Sequence, residues 1–296
     1  MNIPYPDHFD IEFLQAQATR VRRIALEMIY QAGSGHPGGA LSAADILTYL
    51  YFYVLRINPQ DPHWPKRDRF VLSKGHACAA LYAVLGLRGC FGPNPSQVWR
   101  TFRKLNGMLQ GHPNLKSTPW VEASTGSLGQ GFSAALGMAL GLRYQNNPAR
   151  VYVMLGDGEM QEGEVWEAVM CAAHFRLSNL CAIVDYNKIQ SDARNEEIME
   201  LEPLAAKWRV FNWSVVEIDG HDFMQIRKGL EEAKQCTNQP VCIIAHTVKG
   251  KGVAYMEGSP LWHGSVRLTR ENLEEALSSL GVSFGKMNGV LDEPIS

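Results

Sequence analysis

The stretch from Val151 to Asn187, VYVMLGDGEMQEGEVWEAVMCAAHFRLSNLCAIVDYN, decides the fold. It opens on an apolar run, Val151–Leu155, and turns at Gly156-Asp157-Gly158. A helix-length segment, Glu164–Phe175, leads to a second apolar run, Leu180–Val184, and then to Asp185-Tyr186-Asn187. Apolar runs without alternation are strands buried on both faces, and a helix between two of them makes a βαβ unit with parallel strands. Ligands of open parallel sheets bind beyond the carboxyl ends of the strands, so Asp157 and Asn187 are expected on adjacent strand ends, over one site. Mg2+ takes hard oxygen ligands of this kind and fills its remaining positions with water and substrate phosphates. Gly156 and Gly158 let backbone approach a phosphate, and the N–H groups of the next helix favour the same anion. Gly-Asp-Gly alone reads as an ordinary turn; Asn187 at this spacing tips the reading toward a metal and diphosphate site.

Working outward, three further runs of the same kind are Arg69–Leu72, Trp213–Ile218 and Val241–Ala245. Each is followed by a polar turn: Ser73-Lys74-Gly75-His76, Asp219-Gly220-His221-Asp222 and His246-Thr247-Val248-Lys249-Gly250. Five strands with helices between most of them predict an α/β fold, a parallel sheet covered by helices on both faces. Upstream, Phe13–Tyr30 has helical apolar spacing, the run Gly33–Gly39 breaks it, and Ser42 starts a second apolar helix through Leu55. The loop Thr125-Gly126-Ser127-Leu128-Gly129-Gln130-Gly131 opens a helix rich in Ala134, Ala135, Gly137, Ala139 and Gly141. Those small residues favour close helix packing over ligand contact. No repeat or low-complexity linker divides the chain, so residues 1–296 read as one domain, with a core of about 12–270 and a loose tail from Leu280.

The composition excludes several classes. Of 296 residues 46% are apolar and 20% charged, which is far from disorder. Twenty-eight Lys and Arg against 30 Asp and Glu give a net charge of −2, so no basic excess points to nucleic acid or an anionic membrane. Met1–Asp10 carries two prolines and two aspartates rather than a basic region before an apolar run, and no membrane-length apolar stretch follows, so a cytoplasmic protein is expected. Cysteines 78, 90, 171, 181, 236 and 242 show no metal or disulfide spacing and read as reduced thiols.

Histidines 36, 76, 112 and 263 all lie in glycine-containing turns: Gly-His-Pro-Gly, Lys-Gly-His-Ala, Gly-His-Pro-Asn and Trp-His-Gly. One such histidine is usually a surface or core residue; four of them beside a phosphate site suggest proton transfer and hydrogen bonding to an oxygen-rich substrate. Glu159, Glu162, Glu164 and Glu167 follow Gly158, where carboxylates suit a helix N-terminus. Glu162 or Glu167 could also relay a proton. Thr247-Val248-Lys249-Gly250-Lys251-Gly252 is a basic glycine-rich loop that either covers phosphate or is merely solvated.

Gly156-Asp157-Gly158 followed by Asn187 resembles the thiamine diphosphate signature. Ser34-Gly35-His36-Pro37-Gly38, Ser73-Lys74-Gly75-His76, Gly111-His112-Pro113 and Thr125–Gly131 resemble transketolase, and the likeness runs from about residue 15 to 270. The resemblance implies a thiamine diphosphate-binding fold, with Mg2+ held by Asp157, Asn187 and the Ile189 carbonyl. It implies that His76, Gly158 and His263 face the diphosphate, that Gly126 and Leu128 line the aminopyrimidine, and that Ser127, Glu159 and Asn187 also contact the cofactor. Asp185 and Ile189 would flank the thiazolium. His36, His76, His112 and His263 would face the reacting sugar, in pentose phosphate chemistry or a variant of it.

Transketolases carry a pyrimidine-binding domain with an activating glutamate, and then a third domain, neither of which has a counterpart here. The expected protein is therefore the amino-terminal subunit of a split transketolase. Its partner chain would carry those domains in a heterotetramer of two plus two, with Glu162 and Glu167 near the interface. Two alternatives stand beside a ketose phosphate transketolase: a related enzyme chain for a modified ketose or for pyruvate, and a non-catalytic cofactor-binding module.

Overall fold

All five runs are strands in a computed structural model, which describes residues 9–282: β1 Arg69–Leu72, β2 Val151–Gly156, β3 Leu180–Tyr186, β4 Ser214–Asp219 and β5 Val241–His246. They pair in parallel in the order β1-β2-β3-β5-β4. Gly156 lies opposite Asp185, so Asp157 and Asn187 leave neighbouring strands at one edge of the sheet. Most of the expected loose tail lies outside the described residues.

The α-helices of the described residues are α1 Ile11–Ala32, α2 Pro37–Tyr49, which a π-helical turn extends through Val54, α3 Cys78–Leu87, α4 Pro95–Trp99, α5 Gln130–Tyr144, α6 Gly163–His174, α7 Asn195–Ile198, α8 Leu204–Val210, α9 Phe223–Gln235 and α10 Arg270–Ser279. Alternate strand residues divide the core into two layers, as the two-residue period of a strand requires. Tyr152, Met154, Cys181, Ile183, Val241 and Ile243 pack in one layer with residues of α1, α2, α3, α9 and α10. Val153, Leu155, Ala182, Val184, Cys242 and Ile244 pack in the other with α5, α6 and α8. The sheet is thus covered on both faces, as expected.

Local chemistry sets the helix limits. Asp10 caps α1 by accepting from the Phe13 N–H at 3.0 Å, and Gly33, at φ 68°, ends it in the left-handed conformation that glycine tolerates. The second helix begins at Pro37 rather than Ser42, which corrects the reading of Gly33–Gly39 as a continuous break. Proline suits a first helical turn because its missing N–H would have no partner there. Gly38 and Gly39 lie within the helix because neighbours press against it. A Cβ at 38 would stand 2.8 Å from the Trp262 carbonyl oxygen, and one at 39 would stand 3.1 Å from His76 Nε2.

The small residues of α5 also divide. Gly131, Ala135 and Ala139 are buried, and a Cβ at 131 would meet Ser73 Cα at 2.7 Å. Gly137 and Gly141 instead have nothing of this chain within 4 Å of a Cβ, so packing inside the domain explains only part of the stripe. All six cysteines are free thiols.

Candidate active site

A cavity of about 340 Å3 opens beyond the carboxyl ends of the strands. Turns after β1, β2, β3 and β5 line it, together with the loops that carry His36, His112, Gly126 and His263. Asp157 and Gly158 come from the β2 turn, and Asn187 and Ile189 from the β3 turn. Asp157 is buried and accepts from the Gly158 N–H at 2.8 Å and from the Lys188 N–H. Burial, then the nearby Asp185 carboxylate, push its pKa up to about 6, against the opposing pull of the Lys249 charge and the two backbone N–H donors. Asn187 Oδ1 accepts from the Ile189 N–H at 3.2 Å. One carboxylate, one amide oxygen and one carbonyl suit Mg2+, whose other positions a diphosphate and water fill. No group of three or more His, Cys, Asp or Glu among the described residues forms a self-sufficient metal cluster.

Four imidazoles continue from this group. His112 and His36 have ring centroids 5.8 Å apart, His36 and His76 5.7 Å, and His76 and His263 5.1 Å. Burial, reinforced by neighbouring cations, holds all four below the usual histidine range, His36 at about 4 and His263 at about 3. They are neutral near pH 7 and able to accept protons.

An ion pair forms the cavity floor, Lys74 lining the cavity and Asp185 lying beneath it. Lys74 Nζ meets Asp185 and also donates to the Gly39 carbonyl at 2.9 Å; the two side chains are 1% and 0% exposed. Burial pushes the Asp185 pKa up, but the Lys74 charge and hydrogen bonds from Lys74, Ser42 and Thr247 outweigh it and hold the carboxyl below its usual range. Lys249 is also buried, and its Nζ donates at 2.6 Å to both the Ile189 carbonyl and His263 Nδ1. His263 therefore carries its proton on Nε2. Burial lowers the Lys249 pKa to about 8.

The cavity collects His36, His76, His112, His263, Asp157, Gly158, Glu159, Asn187, Ile189, Gly126, Leu128 and Glu162. Asp185 lies beneath it and is fully buried. Ser127 and Glu167 are exposed and do not line it. Glu159 is not a solvated helix-end carboxylate: it is 1% exposed and accepts from Ser73 Oγ and from the Gly129 and Gly156 N–H groups. Sequence reasoning left Lys249 open and missed Gln190, Ser191 and Arg103. The first two line the cavity. Arg103 reaches Ser265 Oγ at 3.2 Å, and its guanidinium carbon lies 3.1 Å from where a Gly111 Cβ would be. A charged residue eight positions before a Gly-His-Pro turn gives no signal of that contact.

A doubly covered parallel sheet with Asp157 and Asn187, backbone glycines and a run of neutral imidazoles gathered at its carboxyl edge defines an α/β domain of the kind that binds ligands beyond its strand ends. The chain belongs to the transketolase family: residues 14–290 match the model of the transketolase thiamine diphosphate binding domain. It is 45% identical over 267 residues to the 6-deoxy-6-sulfo-D-fructose transketolase subunit of Clostridium sp. (strain MSTE9), covering 90% of this chain and 96% of that one. It is 38% identical over 277 residues to an apulose-4-phosphate transketolase subunit of Phocaeicola vulgatus, covering 94% and 97%. The transketolase structure from Campylobacter jejuni superposes with a TM-score of 0.87 at 36% identity, over 93% of this chain but 44% of that one. The chain thus spans nearly all of the two named subunits and less than half of that transketolase. No described helix is long and apolar enough to cross a membrane.

Proposed function

We propose that this chain is the diphosphate- and metal-binding subunit of a thiamine diphosphate-dependent ketol transferase. A partner chain supplies the pyrimidine-binding and third domains, in a two-plus-two assembly in the cytoplasm. The observation that carries the proposal is the meeting, in one cavity, of the Asp157, Asn187 and Ile189 oxygens with four imidazoles held neutral by burial.

Asp157, Asn187 and the Ile189 carbonyl would hold Mg2+. His76, Gly158, Glu159, His263 and Lys249 would surround the diphosphate, and Gly126 and Leu128 would border the pyrimidine. When bound, thiamine diphosphate supplies a nucleophilic carbon and an electron sink for breaking the carbon–carbon bond beside a ketose carbonyl. The remaining chemistry belongs to side chains of this domain. His36 and His112, neutral near pH 7, accept hydrogen bonds from the sugar hydroxyls and take the proton that leaves a hydroxyl as the bond breaks. His263 Nε2–H donates to a substrate oxygen, because Lys249 occupies its other nitrogen. Asp185, beneath the cavity, is held as an anion by Lys74, Ser42 and Thr247. Glu162, at the cavity rim, and Glu167, exposed on α6, would meet the partner chain.

A second reading changes only the donor. Two relatives that match nearly end to end are named for 6-deoxy-6-sulfo-D-fructose and apulose 4-phosphate, which favours a modified ketose over xylulose 5-phosphate. The test is calorimetric titration of the full chain with thiamine diphosphate, with and without Mg2+, followed by ketol-transfer assays of the complex purified from its native cell. The expected results are Mg2+-dependent binding that Asp157→Ala abolishes, and transfer from at least one of the three ketoses by the complex. Binding that ignores Mg2+ and Asp157 would overturn the metal assignment. Turnover of pyruvate alone would overturn ketol transfer.

A further inference from the structure

The turn after β4, Asp219-Gly220-His221-Asp222, has no part in the chemistry above. We propose that His221 is a positioning residue that fixes the cavity lysine, Lys249, by a hydrogen-bonded strap running from α1 and α2 to the loop after β5.

The strap begins at Arg22 of α1, whose Nη1 donates to Asp45 Oδ1 at 3.0 Å while its Nη2 meets Oδ2. Asp45 of α2 is 5% exposed, and its Oδ2 also lies 2.7 Å from His221 Nδ1. On the other side of the ring, the Val248 N–H donates to His221 Nε2 at 2.9 Å. A backbone N–H can only donate, so Nε2 is unprotonated, and the proton sits on Nδ1, where it donates to Asp45. Both ring nitrogens are used in one tautomer. This is the arrangement by which a carboxylate orients a histidine at many functional sites.

What the ring holds is the residue before Lys249. Three contacts fix this loop: Thr247 Oγ1 to Asp185, Val248 to His221, and the Gly250 N–H to the Gly38 carbonyl at 3.0 Å. The β4 turn is pressed onto the loop, since a Cβ at Gly220 would lie 2.5 Å from Thr247 Cγ2. Lys249 then extends from a fixed backbone to the Ile189 carbonyl and His263 Nδ1. Loss of the His221 acceptor leaves the Val248 N–H unpaired and lets the loop open.

The experiment compares the full chain with His221→Phe, which removes both ring hydrogen bonds, and His221→Gln, whose amide offers one donor and one acceptor. Nitrogen NMR of the wild-type chain at pH 7 is expected to show His221 protonated at Nδ1 only. In His221→Phe, hydrogen exchange at Val248 and acylation of Lys249 by an amine-reactive reagent are expected to rise about tenfold, while His221→Gln restores both. Thiamine diphosphate affinity with Mg2+ is expected to fall about 10- to 100-fold in His221→Phe and to recover in His221→Gln. Only this affinity arm rests on the proposed function. If the wild-type chain binds no cofactor, that reading fails, and exchange and acylation still decide the role of His221. A proton on Nε2 in the wild type, or unchanged exchange and acylation in His221→Phe, would overturn the proposal.

Discussion

Lys74→Met breaks the ion pair under the cavity and leaves a fully buried carboxylate without its cation. Removing one member of a buried pair costs about 3–5 kcal/mol, because the remaining charge is uncompensated. Asp185 keeps donors from Ser42 at 2.6 Å, Thr247, and Asn187 Nδ2 at 3.2 Å, which puts the cost at the low end, about 3 kcal/mol. The reverse change, Asp185→Leu, leaves the Lys74 ammonium with the Gly39 carbonyl as its remaining hydrogen-bond acceptor and belongs at the high end, about 5 kcal/mol. Lys74→Met with Asp185→Leu removes both charges and keeps the apolar volume, so it is expected to fall within about 1 kcal/mol of the parent, apart from the unpaired Ser42 and Thr247 hydroxyls. Urea unfolding of the four proteins measures the cycle, and each single variant should lower the midpoint by about 1 M or more. If the double variant lost as much as the two singles summed, the coupling would be absent. The pair would then contribute nothing to holding Asp185 in place.

Two further outcomes follow from burial. His36, His76, His112 and His263 all titrate below the unfolded-state value of about 6.5, so between pH 6.5 and 4 the unfolded chain binds protons that the native chain does not. Stability is therefore fully present above pH 6.5 and falls with acidification. His36 accounts for about 1 kcal/mol between pH 7.5 and 5.5 after discounting for its partial exposure, a loss that urea midpoints of the parent and His36→Gln would detect; a flat difference between the two would refute it. Gly86→Ala in α3 would place a Cβ 2.4 Å from the buried Trp99 ring, and the resulting overpacking of about 1–3 kcal/mol should exceed the helix-propensity gain of about 1. Gly141→Ala gains the propensity with open space around its Cβ, so thermal unfolding of the isolated chain should move in opposite directions for the two variants.

The sheet was legible because β1, β2, β3 and β5 are apolar runs buried on both faces and each ends in a polar turn, and only the edge strand β4 is half exposed. Even so, β2, β3, β4 and β5 run one or two residues beyond those apolar runs, through Gly156, Asp185-Tyr186, Asp219 and His246. Ladder hydrogen bonds continue wherever backbone pairs, whatever the side chain. Asp157, Asn187 and the four histidines were legible for a related reason: each lies in a turn at a strand end or beside a glycine, and the topology brings such turns to one edge. The second helix was misread because glycine was taken as a breaker where it answers to a neighbour, Trp262 or His76, that local sequence does not reveal.

What stayed hidden is pairing across long separations. Lys74 finds Asp185 across 111 positions, and His221 finds Asp45 across 176. A lysine within an apolar neighbourhood and an aspartate on an apolar helix are each unfavourable alone, and only the folded partner makes them stable. The two glutamates at the start of α6 differ for a geometric reason. A short 3-10 turn, Gly158–Gln161, delays α6 until Gly163, so that Glu162 stands at the cavity rim as the N-cap. Glu167, five residues later and inside the helix, is carried to the exposed face. A single helix running from Gly158 would have given both residues a different angular phase, and the acidic pattern looks the same in either case. The dipole argument that explains glutamates at a helix start therefore could not separate a rim residue from a surface one, nor detect that Glu159 turns inward to tie the β1 turn to the loop before α5.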